Sequence, residues 1–334
     1  MHRITGFITT LAASLTLAGP LTPPPGAVTP TGKTIQQAEP RTPLSQATTP
    51  GNLDYIYVIS EPGSYYLAEE LQGVNRLGGI LISSNDVTLD LNGFTVRGPA
   101  LGGKGIFIAD FLQNVSVRNG TVRGWGSDGI DARDTRDCRF EDLTLLDNGG
   151  DGLHTGSNAI VQRCVARDNG GFGFELIERS RALDSIAHNN GDDGFRMQQS
   201  SAAERCTASA NAGDGFNASS FSRVIDCSAD DNQDNGIRAG GSIVERCIVW
   251  GSGLSGNTTT AGILASGSST IRGNRLSSNG IGIETTGPNN LIVGNSLTEP
   301  NTAFVSNSFP NAVGPFISRS AVTTNTNPNA NIEF

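Results

Sequence analysis

Of the 334 residues, 43 are glycine, only 16% are charged and only 6% are aromatic, so the chain must build a narrow core of small side chains rather than one broad apolar centre. The 32 acidic residues outnumber 23 basic ones for a net charge of −9, and no basic stripe is present, which excludes nucleic-acid binding through phosphate neutralisation. The same charge says less about polysaccharides, whose acidic members can be held through calcium or a few arginines.

Taken in chain order, Met1-His2-Arg3 and the uncharged run Ile4 to Ala18 read as an export signal. The run is shorter than a membrane span needs. Residues 1–27 are therefore expected to be a signal peptide and 28–52 a Pro/Thr-rich linker. No later segment carries eighteen apolar residues, which predicts no membrane span in the mature chain. Asp54 to Leu71 alternates apolar residues around Glu61-Pro62-Gly63, the pattern of a hairpin. With 53–78 it is the candidate N-terminal cap, since stacked repeats leave an open sheet edge at each end.

From there the chain repeats itself. Gly152, Gly173, Gly194, Gly215 and Gly236 are spaced by 21 residues, and weaker copies at Gly79, Gly105, Gly129, Gly262 and Gly282 bring the set to ten at intervals of 20 to 26. A fixed period in this range is one supersecondary unit stacked on copies of itself. The unit is rich in Gly, Asn, Asp and Ser and has little helix signal, so it fits one coil of a parallel β-helix. The predicted fold is all-β, a single solenoid of about ten coils over 79–300, followed by an irregular tail or cap at 301–334. The large insertion Trp250 to Thr260 interrupts the period late in the stack.

Alignment on these glycines assigns faces. One residue later come Ile106, Ile130, Leu153, Phe174, Phe195, Phe216, Ile237, Ile263 and Ile283, all apolar and so inward. Strand alternation puts the third position inward too and the second outward. Asn148, Asn169, Asn190, Asn211 and Asn232 lie four residues before successive glycines, where stacked buried amides can hydrogen-bond along the column. Cys164, Ser185, Cys206, Cys227, Cys247 and Asn274 form a second small-residue column. Five cysteines cannot all pair within the chain. Cys206–Cys227 and Cys227–Cys247 are each one coil apart and exclude one another, and free core thiols are the expected state.

The coil words, the asparagine ladder, the stacked columns and the segment Ile59 to Leu67 followed by Val87 to Gly98 resemble secreted bacterial right-handed parallel β-helix repeat proteins of the pectin-lyase-like superfamily. The resemblance spans about Asn52 to Pro300. It implies right-handedness and an exported protein that stays in the periplasm, reaches the cell surface or is secreted. It also implies that an active groove, where there is one, lies on a parallel sheet. Its members include pectate lyases, polygalacturonases, alginate lyases and epimerases, and phage tail proteins, so it points to glycans without choosing a reaction.

The outward column holds the candidate chemistry: Phe107, Asp131, His154, Glu175, Arg196, Asn217, Arg238, Leu264 and Glu284, beside the turn residues Asp128, Asp151, Asp193 and Asp214. His154 is expected to touch both Asp131 and Glu175, which would raise its pKa and orient its ring. Asp131 and Glu175, two coils apart, could flank a glycosidic bond at a spacing suited to inversion. In a lyase or epimerase the carboxylates would instead hold calcium while Arg196 or Arg238 takes a proton. Asn217, Arg238, Asp151 and Asp214 would then bind substrate.

Gly191-Asp192-Asp193-Gly194 is similar to the paired aspartates of polygalacturonases and makes Asp193 a hydrolase candidate. The Asn-Thr-Asp, Gly-His-Gly and Arg-Ile-Lys elements of that family are absent, however, and His154 comes before the pair rather than after it. Gly126 to Asp131 resembles half a turn of a calcium-binding nonapeptide repeat, making Asp128 and Asp131 a metal candidate with calcium as the possible cofactor. The opposing view is a solvated sheet face whose opposite charges alternate to relieve repulsion. The expected function is that of an exported monomer that binds extracellular or cell-surface polysaccharide through this face; lyase or epimerase chemistry is the alternative.

Overall fold

In the computed structural model the described residues are 40–252, 260–298, 305–307, 310–318 and 327–333. The proposed signal peptide, most of the linker, the centre of the late insertion and parts of the tail lie outside them. From Arg41 onward the chain is a parallel β-solenoid, and every strand pairing is parallel, apart from one antiparallel bridge between Pro50 and Tyr57. A central coil contributes three short strands, for example Phe174–Leu176, Arg181–Leu183 and Ile186–His188. The first strands of successive coils form one sheet of twelve strands, and the other two sets join into a sheet of 24. They join because Ser116–Arg123 and Arg139–Leu146 run unbroken through the bend between the two faces.

The stack has about twelve coils rather than the ten expected. The additional strands on the twelve-strand sheet are Tyr55–Ile59 and Val305–Asn307, at its two ends. Neither carries the Gly-apolar word of the interior coils, so counting that word misses both. The hairpin expected at Glu61-Pro62-Gly63 is also corrected. Tyr55–Ile59 pairs in parallel with Gly78–Ile82, whereas Gly63–Tyr66 pairs in the other sheet with Val87–Asp90. The turn is a corner of the first coil, and the alternation that suggested a hairpin is common to any strand with one buried face. Upstream, Thr42 and Pro43 pair with Tyr65 and Tyr66, and Leu44 and Thr49 are buried. At the far end Asn331–Glu333 pairs with both Phe316–Ser318 and the strand Ser296–Thr298.

The two inward columns of the twelve-strand sheet are buried throughout, from Ile80 to Ile283 and from Ile82 to Thr285. Phe174, Phe195 and Phe216 stack with ring centroids 4.9 Å apart, the spacing of neighbouring strands. Opposite them the other two faces turn to Ala182 and Ala203, and to Ala187, Ala208 and Ala229, all fully buried. The coil with Ile130 in the phenylalanine position carries Phe140 and Leu145 instead, and the Leu153 coil between them carries Val161 and Ala166. Large residues on one face are thus balanced by small ones on the others, which keeps a narrow core close-packed.

The repeated glycines serve this same packing. A Cβ on Gly173 would lie 2.6 Å from the carbonyl oxygen of Gly194 and 2.9 Å from the Ala187 methyl. Left-handed corner backbone is supplied instead by residues such as Asp142, Arg163, Asp184, Arg205, Asp226 and Arg246, with φ of 51 to 55°. They alternate in charge and pair through close contacts: Asp142–Arg163 at 2.7 Å, Asp184–Arg205 at 2.6 Å and Asp226–Arg246 at 2.7 Å.

Three ladders of side chains satisfy the corner amides. In the asparagine ladder each Nδ2 donates to the next Oδ1, from Asn148 through Asn169, Asn190 and Asn211 to Asn232, at 2.9–3.0 Å. The cysteine column is built in the same way: the Cys164 amide donates to Ser185 Oγ, Cys206 to Cys227 Sγ and Cys247 to Asn274 Oδ1. The third ladder, Ser180, Ser201, Ser222, Ser242, Ser269 and Asn290, was not anticipated; its hydroxyls and amide accept corner amides such as those of Ala159 and Ser201. All five cysteines are buried and free.

Candidate functional site

The outward face of the twelve-strand sheet is organised by the aspartates of the preceding turn. Each uses one oxygen to receive the backbone N–H of the next coil. Asp128 Oδ1 accepts from Asp151 at 2.9 Å, Asp151 Oδ1 from Phe172 at 2.8 Å, Asp193 Oδ1 from Asp214 at 2.8 Å and Asp214 Oδ1 from Asn235 at 3.0 Å. The second oxygen turns to the outward row. Asp193 Oδ2 accepts from Asn217 Nδ2 at 2.9 Å, and Asp214 Oδ2 accepts from Arg238 Nε at 2.6 Å. These residues therefore close the turns and hold the side chains of the face at the same time. Burial, then the neighbouring charge of Asp214, pushes the Asp193 carboxyl up to about 6.

Asp131 is not an open carboxylate. Its strand position points it away from the core as expected, yet it is 0% exposed. Lys104 Nζ sits 2.5 Å from Oδ2, and Oδ1 accepts from Arg133 Nε at 3.0 Å and from the Arg133 backbone N–H at 3.2 Å. Burial pushes its pKa up, but the hydrogen bonds from Arg133 and Lys104 outweigh it and hold the carboxyl below its ordinary value. Lys104 also lies 4.0 Å over the Phe107 ring, which stacks on Tyr55. The predicted pairing of Asp131 with Glu175 across a glycosidic bond is thereby corrected, because Asp131 offers no surface to a substrate.

His154 is clasped, but by a different pair from the one expected. Its Nδ1 lies 3.1 Å from Glu175 Oε2 and 3.6 Å from Asp151 Oδ2, while Asp131 is turned to Lys104 and Arg133. Asp151 belongs to the same coil and reaches His154 from the turn, three residues before it. Arg196, on the coil after Glu175, places Nε 3.6 Å from Glu175 Oε1 and its guanidinium 4.8 Å over the Phe172 ring. Arg196 and Arg238 remain about half exposed, with side-chain exposures of 48% and 44%. Asp192 is exposed whereas its neighbour Asp193 is buried, so the two do not form a matched pair of carboxylates facing one substrate.

The calcium site expected at Asp128 and Asp131 does not fit its residues. Asp128 Oδ2 is 3.1 Å from the Arg133 guanidinium and its Oδ1 holds the Asp151 amide, while both Asp131 oxygens face cations. An oxygen-ligated cation would have to displace Lys104 and Arg133. His188 lies on another sheet, where its Nδ1 is 2.9 Å from Ser209 Oγ.

Sequence reasoning passed over Lys104, Arg133 and Phe172. Lys104 and Phe172 occupy the turn position held elsewhere by Asp128, Asp151, Asp193 and Asp214, so a complete alignment of that column would have shown both. Beside the row, a shallow pocket of about 870 Å³ is lined by Asn217, Phe221, Arg238, Ser266 and Pro288, and a second of about 560 Å³ by Glu178, Arg196, Gln198 and Phe221. Phe221 is 70% exposed between them.

The family model for the right handed beta helix region matches residues 70–203 and 104–244, more than half of the chain, and the chain belongs to that family. No curated protein matches the sequence. Among solved structures, the chain is similar to the A-module of the Azotobacter vinelandii mannuronan C-5 epimerase AlgE6, with 14% identity, 81% of this chain and 89% of that one covered, and a TM-score of 0.45. It is also similar to the periplasmic alginate epimerase AlgG, with 13% identity, 80% of each chain covered and a TM-score of 0.43. The Dettilon tailspike protein shows 12% identity, with 84% of this chain and 60% of that chain covered and a TM-score of 0.48.

Proposed function

We propose that the chain is an exported protein that binds polysaccharide along the outward face of its twelve-strand sheet. The observation that carries this reading is the continuous row His154, Glu175, Arg196, Asn217 and Arg238, one residue per coil on adjacent strands. Such a row repeats about every 4.8 Å along the stack, which suits an extended chain of sugars better than a compact ligand. Arg196 and Arg238 stand two coils apart, pre-oriented by Glu175 and Asp214, and can give paired N–H groups to hydroxyls or carboxylates. Phe221 on the rim offers an apolar face to a sugar ring. The apolar run Ile4 to Ala18 supports export. Among the described residues no helix is long and apolar enough to cross a membrane.

The same geometry supports binding over hydrolysis. Asp131, Asp193 and Asp214 each have both oxygens engaged by protein groups, so none is free to act as acid or base without breaking a contact that holds the face. A lyase or epimerase reading is favoured by one specific feature, the contact of His154 with Glu175, which could orient the ring for proton transfer.

Affinity electrophoresis and calorimetry against pectate, alginate and neutral glycans would test the binding reading, with unsaturated products and reducing ends followed in the same samples. The expected result is saturable binding without turnover, weakened at least about tenfold in Arg196→Ala, Arg238→Ala, because each charge-assisted bond contributes about 1.5–3 kcal/mol. Turnover lost in His154→Ala would establish the lyase or epimerase reading instead. Unchanged binding in the double variant would remove the face from consideration.

A further inference from the structure

We propose that Asp151, His154 and Glu175 form a binding site for a single divalent transition ion of the zinc type. One ligand atom from each lies within 4.8 Å of the other two. His154 Nδ1 is 3.1 Å from Glu175 Oε2 and 3.6 Å from Asp151 Oδ2. Ligand atoms around a tetrahedral zinc with bonds of 2.0–2.2 Å stand about 3.4 Å apart. The two separations from His154 Nδ1 bracket that edge, so rotation of the carboxylates can close the site on an ion.

What sets this cluster apart is the contrast with its neighbours. The other aspartates of the face have their outward oxygens taken by protein donors: Asp128 by Arg133, Asp131 by Lys104 and Arg133, Asp193 by Asn217 and Asp214 by Arg238. Asp151 Oδ2 and Glu175 Oε2 instead face the imidazole, and among the described residues no other ion pair reaches either atom. Arg196 approaches Glu175 through the opposite oxygen, Oε1, and is held back over Phe172. The remaining Asp151 oxygen is anchored by the Phe172 amide at 2.8 Å, which fixes the direction of the free one. Such anchoring of ligands by a second layer of hydrogen bonds is how metal sites keep their geometry.

One imidazole nitrogen with two carboxylates selects zinc, cobalt or manganese over calcium, which prefers six to eight oxygens. Three protein ligands leave a position open towards solvent, reached through side chains that are 11–16% exposed. A water or a sugar hydroxyl can occupy it. The inference stands apart from the glycan reading, since it concerns the ion alone.

The test is calorimetric titration of the untagged full chain, stripped with chelator and dialysed at pH 7, with zinc chloride, cobalt chloride and calcium chloride. One equivalent of zinc in the micromolar range is expected, with calcium weaker. Cobalt should give the visible absorption of a low-symmetry site. His154→Ala and Glu175→Gln should each lower zinc affinity by more than about tenfold, since loss of an outer-layer partner alone costs about 10–100-fold. His188→Ala should leave it unchanged. Arg196→Ala should tighten binding by removing a nearby positive charge that repels the ion, an effect in the direction that misfolding cannot produce. Absence of saturable zinc binding, calcium bound as tightly as zinc, or affinity unchanged in His154→Ala would each overturn the proposal.

Discussion

Asp193 Oδ1 accepts the backbone N–H of Asp214 at 2.8 Å, so one acidic residue closes the turn of the next in the same stack. The two charges face each other across neighbouring coils, and the cost falls on Asp193, whose carboxyl is pushed up to about 6 by burial and then by the charge of Asp214.

A pH dependence follows from that shift. Asp193 titrates near 3.8 in the unfolded chain and about 6 in the folded one, so between these values the folded state binds more protons. Stability therefore falls as pH rises from about 4 to 6 and gains as pH is lowered through that window. A shift of about two units corresponds to about 3 kcal/mol at most. Asp193→Asn, which keeps an acceptor for the Asp214 amide and removes the charge, is expected to be more stable than the parent at pH 7 and no more stable at pH 4. Urea midpoints across that range check it; a difference independent of pH would show that Asp193 is not the titrating group.

Asn190 sits in the middle of the asparagine ladder, where its Nδ2 donates to Asn211 Oδ1 at 2.9 Å and its own Oδ1 accepts from Asn169 Nδ2 at 3.0 Å. Asn190→Ala leaves buried donors of Asn169 and an acceptor of Asn211 short of partners. Each such group costs about 1–3 kcal/mol, and a loss of about 3 kcal/mol or more is expected in chemical denaturation. A loss below 1 kcal/mol would mean that water replaces the amide.

Two glycines should respond differently to alanine. On Gly194 a Cβ would meet Asn211 Nδ2 at 2.7 Å and the Gly215 carbonyl oxygen at 2.8 Å, whereas Gly93, at φ +80°, has nothing within 4 Å. Gly194→Ala is expected to cost about 2–3 kcal/mol by overpacking. Gly93→Ala should cost about 1 kcal/mol, from its left-handed backbone alone. Comparison of the two melting temperatures checks the order; equal losses would refute the close-approach account.

The charged corner ladder is expected to matter little. Arg205 pairs with Asp184 at 2.6 Å, but both side chains are well exposed, at 54% and 37%. Exposed pairs are screened by salt and balanced by the side-chain entropy they cost. Arg205→Ala should leave the denaturation midpoint unchanged at physiological ionic strength, and a clear loss there would show that the ladder acts as a network.

The thiols supply an independent check on the core. All five are buried, which keeps a reagent from reaching them, and burial also pushes Cys164 up to about 12. A disulfide-exchange reagent should label none of them in the native protein and all five in denaturant. Fewer than five in denaturant would reveal a disulfide.

The 21-residue period by itself determined the solenoid, the inward columns and the asparagine ladder. In an in-register parallel stack, equivalent residues must lie above one another, and strand alternation assigns each to a face. The Gly-apolar word reported only interior coils, because end coils such as Tyr55–Ile59 meet no second copy on one side and need not repeat it. The same limit explains the site. Sequence placed Asp131, His154, Glu175, Arg196 and Arg238 on one outward row, and the structure keeps them there. Only the tertiary structure decided who touches whom. Lys104, Arg133 and His154 all stand within a coil of Asp131, and the long flexible cations reach it and bury it, leaving the short imidazole to Asp151 and Glu175. Alternation fixes the direction in which a Cβ leaves its strand, but the reach of a charged side chain and the competition for its partner are settled in three dimensions.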